Sequence, residues 1–165
     1  PPPPYSQQPQ LPPGGNRIPL ITPSQAPFPD SQQTGAPPCY DSSGSPIYIG
    51  SALLVDSVHP CKIGPHLAGR ALVAYGGREY PHNGRYDLLP FVPELMEFVT
   101  TSHGRIPPGR RPISGGFEES GRPLYHAMAV VNGTRVPGKT GEHLGGCNVG
   151  YGGREHAIKE NYEIL

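Results

Sequence analysis

The chain has 165 residues, a formal net charge of zero, 16% charged and 35% hydrophobic residues. That length suits one domain or slightly more, with enough apolar content to bury a core. Balanced charge argues against nucleic-acid or membrane-surface binding driven by bulk electrostatics, and no apolar stretch approaches the ~20 residues that span a bilayer.

Glycine and proline number 23 and 24, a share that by itself suggests low complexity. Their placement points elsewhere. More than half of the prolines precede Cys39, and that stretch carries only Arg17 and Asp30 as charges. Residues 1–34 therefore read as a proline-rich tail or linker. Its first five residues, Pro-Pro-Pro-Pro-Tyr, suit a WW-type partner; a plain spacer is the alternative. Ile18, Leu20, Ile21 and Phe28 offer one edge strand, where proline is tolerated.

From residue 35 onward the chain repeats itself, over 35–92 and again over 93–165. Pro46 matches Pro123, Lys62 matches Lys139, and Gly76 matches Gly152 after a one-residue deletion near Arg70. Ile47–Val55 and Leu124–Val131 read as strands. The second closes on Asn132-Gly133, a two-residue hairpin signal. Ala71–Tyr75 and Asn148–Tyr151 run into Gly-Gly pairs, where glycine permits positive φ. Tyr86–Leu89 and Tyr162–Leu165 are closing strands with alternating exposure. Pro93–Val99 offers a single helical turn, or Glu97–Thr101 a strand. The expected class is all-β: two similar antiparallel β subdomains from tandem repeats, packed about a pseudo-two-fold axis.

Three cysteines, Cys39, Cys61 and Cys147, are too few and too oddly spaced for a disulfide framework or a zinc site. Buried thiols, or one disulfide with a free thiol, remain as readings. Gly133–Thr140 fits the phosphate-loop pattern G-x-x-x-x-G-K-[ST]. It lacks the following helix, and Pro137 removes an amide donor. The first copy keeps only the lysine, so nucleotide binding is set aside. Asn132-Gly133-Thr134 is a glycosylation acceptor pattern, which matters only in a secreted protein.

Several short blocks occur in order, twice: Gly-x-Pro-Ile-Tyr-x-Gly-x-Ala from Gly44, Pro-Cys-Lys or Pro-Gly-Lys, Tyr-Gly-Gly-Arg-Glu, and the closing Tyr-Glu-Ile-Leu. This pattern resembles the DM-nine repeat in its usual tandem form, over roughly 40–90 and 97–165. The resemblance implies an all-β, lectin-like module that recognises mannose. It further implies that an acid following an aromatic residue, and the lysine of the Pro-x-Lys block, contact the sugar. Those positions are Asp41 and Lys62 in the first copy, and Glu118 and Lys139 in the second. The acid-to-lysine spacing is the same in both. Two departures stand out: Glu118 replaces an aspartate, and Cys61 stands where the second copy has Gly138.

A carboxylate and an ammonium suit vicinal hydroxyls, which both donate and accept. Tyr48 and Tyr125 read as core or rim packing, with stacking on a sugar as the alternative. His66 and His143 read as turn histidines bonded to backbone, with ligand contact as the alternative. Arg78-Glu79 and Arg154-Glu155 read as buried or cross-strand pairs that tie down the Gly-Gly turns, with a direct sugar contact from the glutamate as the alternative. The functional expectation is a mannose-type carbohydrate-binding lectin, without catalysis, cofactor or metal. Its partners would be mannose-containing glycans, not nucleic acid or a membrane interior, with homodimerisation one route to avidity. The alternative is a protein-interaction or structural module whose sugar site has decayed. Compartment, secreted or cytoplasmic, stays open.

Overall fold

The computed structural model describes residues 15–165, so the Pro-Pro-Pro-Pro-Tyr motif lies outside the described residues. In chain order the elements are β1 (Ile18–Thr22), α1 (Ser31–Thr34), β2 (Cys39–Tyr40), β3 (Pro46–Leu53), β4 (Val58–Ile63), β5 (Ala71–Tyr75), β6 (Arg78–Pro81), β7 (Gly84–Leu89), β8 (Val99–Thr101), β9 (Ser114–Phe117), β10 (Pro123–Val131), β11 (Thr134–Gly141), β12 (Gly146–Tyr151), β13 (Arg154–Ile158) and β14 (Tyr162–Ile164). The fold is all-β, as the repeat pattern implies.

Turn chemistry explains the hairpins. Asn132 and Gly133 adopt φ of 49° and 77° between β10 and β11, the paired positive angles of a type I′ turn. Gly76-Gly77 and Gly152-Gly153 take positive φ between β5 and β6 and between β12 and β13. Pairings then recur in both copies. Cys39 faces Ile47 as Gly116 faces Leu124, and Tyr75 faces Arg78 as Tyr151 faces Arg154.

The two halves join in one closed barrel of eight strands, β4-β5-β6-β13-β12-β11-β10-β9, which returns to β4. Two junctions between the copies close it: Arg78 faces Arg154 where β6 meets β13, and Phe117 of β9 faces Val58 of β4. The ladders repeat, but the closure does not. β2, the counterpart of β9, pairs with β3 alone among the described residues. The expected edge strand is β1, antiparallel to β7.

Each copy packs its own apolar cluster. Tyr48, Ile63, Val73, Tyr86 and Leu88 form one, against Ile18, Leu20 and Phe28. Ala127, Val136, Cys147, Val149 and Tyr162 form the other. Tyr48 packs on Phe28 at 5.6 Å between ring centroids, so it serves the core. All three cysteines are free and buried, which excludes the disulfide. Burial pushes the Cys39 thiol up to about 11 and Cys147 to about 12.

Several elements differ from expectation. Val99–Thr101 takes the strand reading of its stretch, because it pairs with β14, and a single turn precedes it, where the Leu95 and Met96 amides donate to the Val92 carbonyl. The short helix α1 starts on a capping box: Asp30 accepts from the Gln32 and Gln33 amides, and Gln33 reaches back to the Asp30 amide. The Asp-x-x-Gln spacing is the signal for it. β14 alternates in exposure as expected, whereas β7 does not. β1 and β3 flank β7, and Asp87 is itself only 8% exposed.

Candidate functional site

Lys62 and Lys139 lie inside strands β4 and β11, not on loops. Each ammonium crosses the barrel to the opposite copy. Lys62 Nζ donates to the Gly150 carbonyl on β12 at 3.1 Å, and Lys139 Nζ donates to the Ala74 carbonyl on β5 at 2.9 Å. Gly150 and Ala74 are equivalent positions in the two copies. The barrel interior is thus partly polar, built from residue types whose burial demands partners.

The glutamates of the two Tyr-Gly-Gly-Arg-Glu blocks supply those partners. Glu79 Oε2 sits 3.0 Å from Lys62 Nζ, and Glu155 Oε2 sits 3.7 Å from Lys139 Nζ. This corrects the expectation that each glutamate serves its neighbouring arginine. Alternation along β6 and β13 turns the glutamates inward and leaves Arg78 and Arg154 exposed.

The two acids behave alike as well. Asp41 Oδ2 contacts His66 Nε2 at 2.7 Å, and Glu118 Oε2 contacts His143 Nε2 at 3.0 Å. These histidines therefore hold the acids, not backbone as expected. Their signal was in the sequence, since the acid-to-histidine spacing is identical in both copies. Asp41 also accepts from the Ser43 hydroxyl and from the Ser43 and Ser45 amides. Those bonds, the Ser43 hydroxyl foremost, lower its carboxyl to about 2.

Acid and lysine meet differently in the two copies. In the second, Lys139 Nζ lies 3.1 Å from His59 Nδ1, and Glu118 Oε1 lies 3.9 Å from that same nitrogen. Tyr75 closes over the group, its ring centroid 5.5 Å from Lys139 Nζ. Burial, then the Lys139 charge, depresses His59 to about 4, while Glu118 opposes them. A neutral imidazole that accepts at Nδ1 carries its proton on Nε2; that group donates to Ser57 Oγ at 2.9 Å. Burial also lowers Lys139, against Glu155 and Glu118, which raise it. In the first copy Asp41 and Lys62 are not bonded to each other. They share the neighbourhood of the Cys39 thiol, on which both act electrostatically.

The matched phosphate-loop pattern is the β10–β11 hairpin and strand β11, followed by a single 3₁₀ turn, Glu142–Leu144. Two concavities lie away from the lysines: one of about 220 Å³ beside Met96, Val99, Ile113 and Leu165, and an open one of about 780 Å³ along Thr100–Pro108 with Glu142.

Comparison with known proteins locates these features in a family. A family model for the DM9 repeat matches residues 41–158. No curated protein matches the chain. Among solved structures, the nematode sperm cell motility protein MFP2B is similar in fold, with a TM-score of 0.57 at 16% identity. The likeness covers 99% of this chain and 51% of that one, so the chain spans about half the length of that protein.

Proposed function

The chain belongs to the DM9 repeat family, and from that membership we propose a non-catalytic glycan-binding module of mannose type, with one site per repeat. The observation that carries this reading is the duplicated constellation. Each copy sets an acid on a histidine, Asp41 on His66 and Glu118 on His143. Each also sets a lysine against a glutamate, Lys62 with Glu79 and Lys139 with Glu155. A histidine-held carboxylate is oriented to accept from a sugar hydroxyl; on Asp41 that acceptor is Oδ2, because Ser43 and Ser45 already occupy Oδ1. A lysine has three N–H donors; Lys62 gives one to the Gly150 carbonyl and one to Glu79, which leaves a third for a hydroxyl oxygen. Charge-assisted contacts of this kind, partly solvated, support affinities on the order of micromolar to millimolar. Two sites on one chain, or a homodimer, then raise avidity on a polyvalent glycan. Mannan-coated beads should retain the protein, and free mannose should elute it. Retention that survives replacement of both Lys62 and Lys139 by alanine would reject the assignment.

A structural or protein-interaction module is the second reading. Its support is the burial of Lys139, which is only 4% exposed and already engaged by Ala74 and His59. The similarity in fold to a motility protein adds to it. Failure to bind any member of a broad glycan array would favour this reading.

A further inference from the structure

The seam where β6 meets β13 carries an arrangement that packing alone does not account for. Arg78 faces Arg154 directly across it. The flanking bonds run from the Glu79 amide to the Gly153 carbonyl and from the Glu155 amide to the Gly77 carbonyl, both at 3.0 Å. That pattern makes Arg78 and Arg154 a non-hydrogen-bonded pair, the type in which opposed side chains stand closest. Like charges placed there destabilise the pair.

Both arginines are exposed. Among the described residues neither guanidinium has a carboxylate partner. The nearest acids in sequence, Glu79 and Glu155, are turned into the barrel onto Lys62 and Lys139. The repeat retains an arginine at both positions, so two planar forks rise from directly opposed positions of the seam. Tyr80 is 46% exposed and lies two residues along β6, hence on the same face as Arg78.

We propose that Arg78 and Arg154 together form an oxyanion site at the seam between the repeats, suited to a phosphate or sulfate ester carried on a sugar ring. A tetrahedral dianion accepts from both guanidinium forks, as no monovalent halide can. It converts the repulsion across the seam into a bridge, and Tyr80 offers a face for the ring that bears the ester. The site is separate from the lysine clusters and does not depend on mannose binding.

Thermal unfolding of the full chain tests this, with sodium sulfate, inorganic phosphate and mannose 6-phosphate each compared with sodium chloride at equal ionic strength, and with free mannose run alongside. A saturable rise in Tm with sulfate and phosphate is expected for the wild type. Arg78→Gln and Arg154→Gln should each abolish that rise and, by relieving repulsion, raise Tm in chloride. Arg111→Gln, an exposed arginine elsewhere, should leave the rise intact. A rise with mannose 6-phosphate that exceeds both the inorganic-anion rise and the rise with free mannose, and that falls to the free-mannose level in the seam variants, assigns the ester source; an excess no larger than the inorganic-anion rise assigns the free anion. A rise of the same size in all variants is the general effect of excluded salts and overturns the proposal, as does no rise in the wild type. Phosphorus NMR gives a second readout: the inorganic phosphate resonance should broaden with wild type and stay sharp with either seam variant.

Discussion

Lys139 Nζ lies 3.1 Å from His59 Nδ1, and the first copy has no such contact because Val136 occupies the position equivalent to His59. Ala52 faces His59 on β3–β4 as Ala129 faces Val136 on β10–β11. One substitution thus divides two otherwise matched clusters. Without an imidazole beside it, Lys62 closes to 3.0 Å on Glu79. Lys139 is drawn toward His59, stands 3.7 Å from Glu155 Oε2, and leaves that oxygen buried with no hydrogen bond.

His59 should therefore make stability depend on pH. Its imidazole is held at about 4 by burial and by Lys139, with Glu118 the opposing charge and Tyr75 and Ser57 its other neighbours. A group whose folded pKa lies below its unfolded value stabilises fully above the unfolded value, here near 6.5. That contribution falls as pH drops and is gone near pH 4. The loss is on the order of 3 kcal/mol for a shift of this size. His126, buried against Arg17 and lowered in the same direction, should add to it. His59→Val copies the first-copy cluster and should flatten part of the fall in Tm between pH 6.5 and 4. An unchanged profile would reject the assignment to His59.

The two lysines should separate in their consequences. Lys139 is buried to 4% exposure beside a carboxylate oxygen already short of a bond. Lys139→Ala strands Glu155 in the barrel, and removing one partner of a buried pair costs about 3 kcal/mol or more. Lys62 is less enclosed, with 14% of its side chain exposed. Lys62→Ala should cost less stability and more of any glycan retention. Denaturant midpoints and bead retention, measured on both variants, check the order; the reverse order in both would refute it.

The elements that the sequence made legible were those marked by local chemistry. Asn132-Gly133 fixed one hairpin, the Gly-Gly pairs fixed two more, and runs rich in aliphatic and tyrosine residues marked β3, β5 and β10. What escaped was long-range. No alternation marks β4 or β11 as strands, because Pro60-Cys61-Lys62 and Pro137-Gly138-Lys139 interrupt it. They are strands because their lysines face a polar barrel interior that only the partner copy completes. The acid and lysine positions were legible through repetition alone. Their partners His66 and Glu79 were visible in the same repetition but assigned to turns, since nothing local says that Glu79 points inward. His59 had no counterpart in the second copy, so repetition passed over it.

Asp41 should protect the fold against acid. Hydrogen bonds from Ser43, Ser45 and His66 hold its carboxyl near 2, below the ordinary 3.8. The contribution is present above about pH 3.8 and is lost as pH falls toward 2. Asp41→Asn should remove that segment of the acid-unfolding curve while leaving the region above pH 5 parallel to wild type. Because the group is partly solvated, the effect should be modest. A parallel curve below pH 4 would show that these bonds do not favour the charged form.

The departure at Cys61 and Gly138 has a packing cause that a single substitution can test. On β3–β4, Gly50 faces Cys61; on β10–β11, Ala127 faces Gly138. Each pair holds one glycine, on opposite strands in the two copies. A Cβ on Gly138 would run into the Asn148 carbonyl and Val149 of β12, and one on Gly50 into the Asp87 carbonyl of β7 and Ile63. The glycine therefore marks where a neighbouring strand presses closest. Gly138→Ala should destabilise by roughly 1–3 kcal/mol, the usual cost of overpacking, through a shifted denaturant midpoint at unchanged slope. Lys139 is the next residue on β11, so the same strain should loosen its bond to the Ala74 carbonyl and speed exchange of the amides that pair β11 with β12. A midpoint within about 0.5 kcal/mol of wild type, the range of a neutral surface change, would mean that β12 yields at this point and that the glycine is not required.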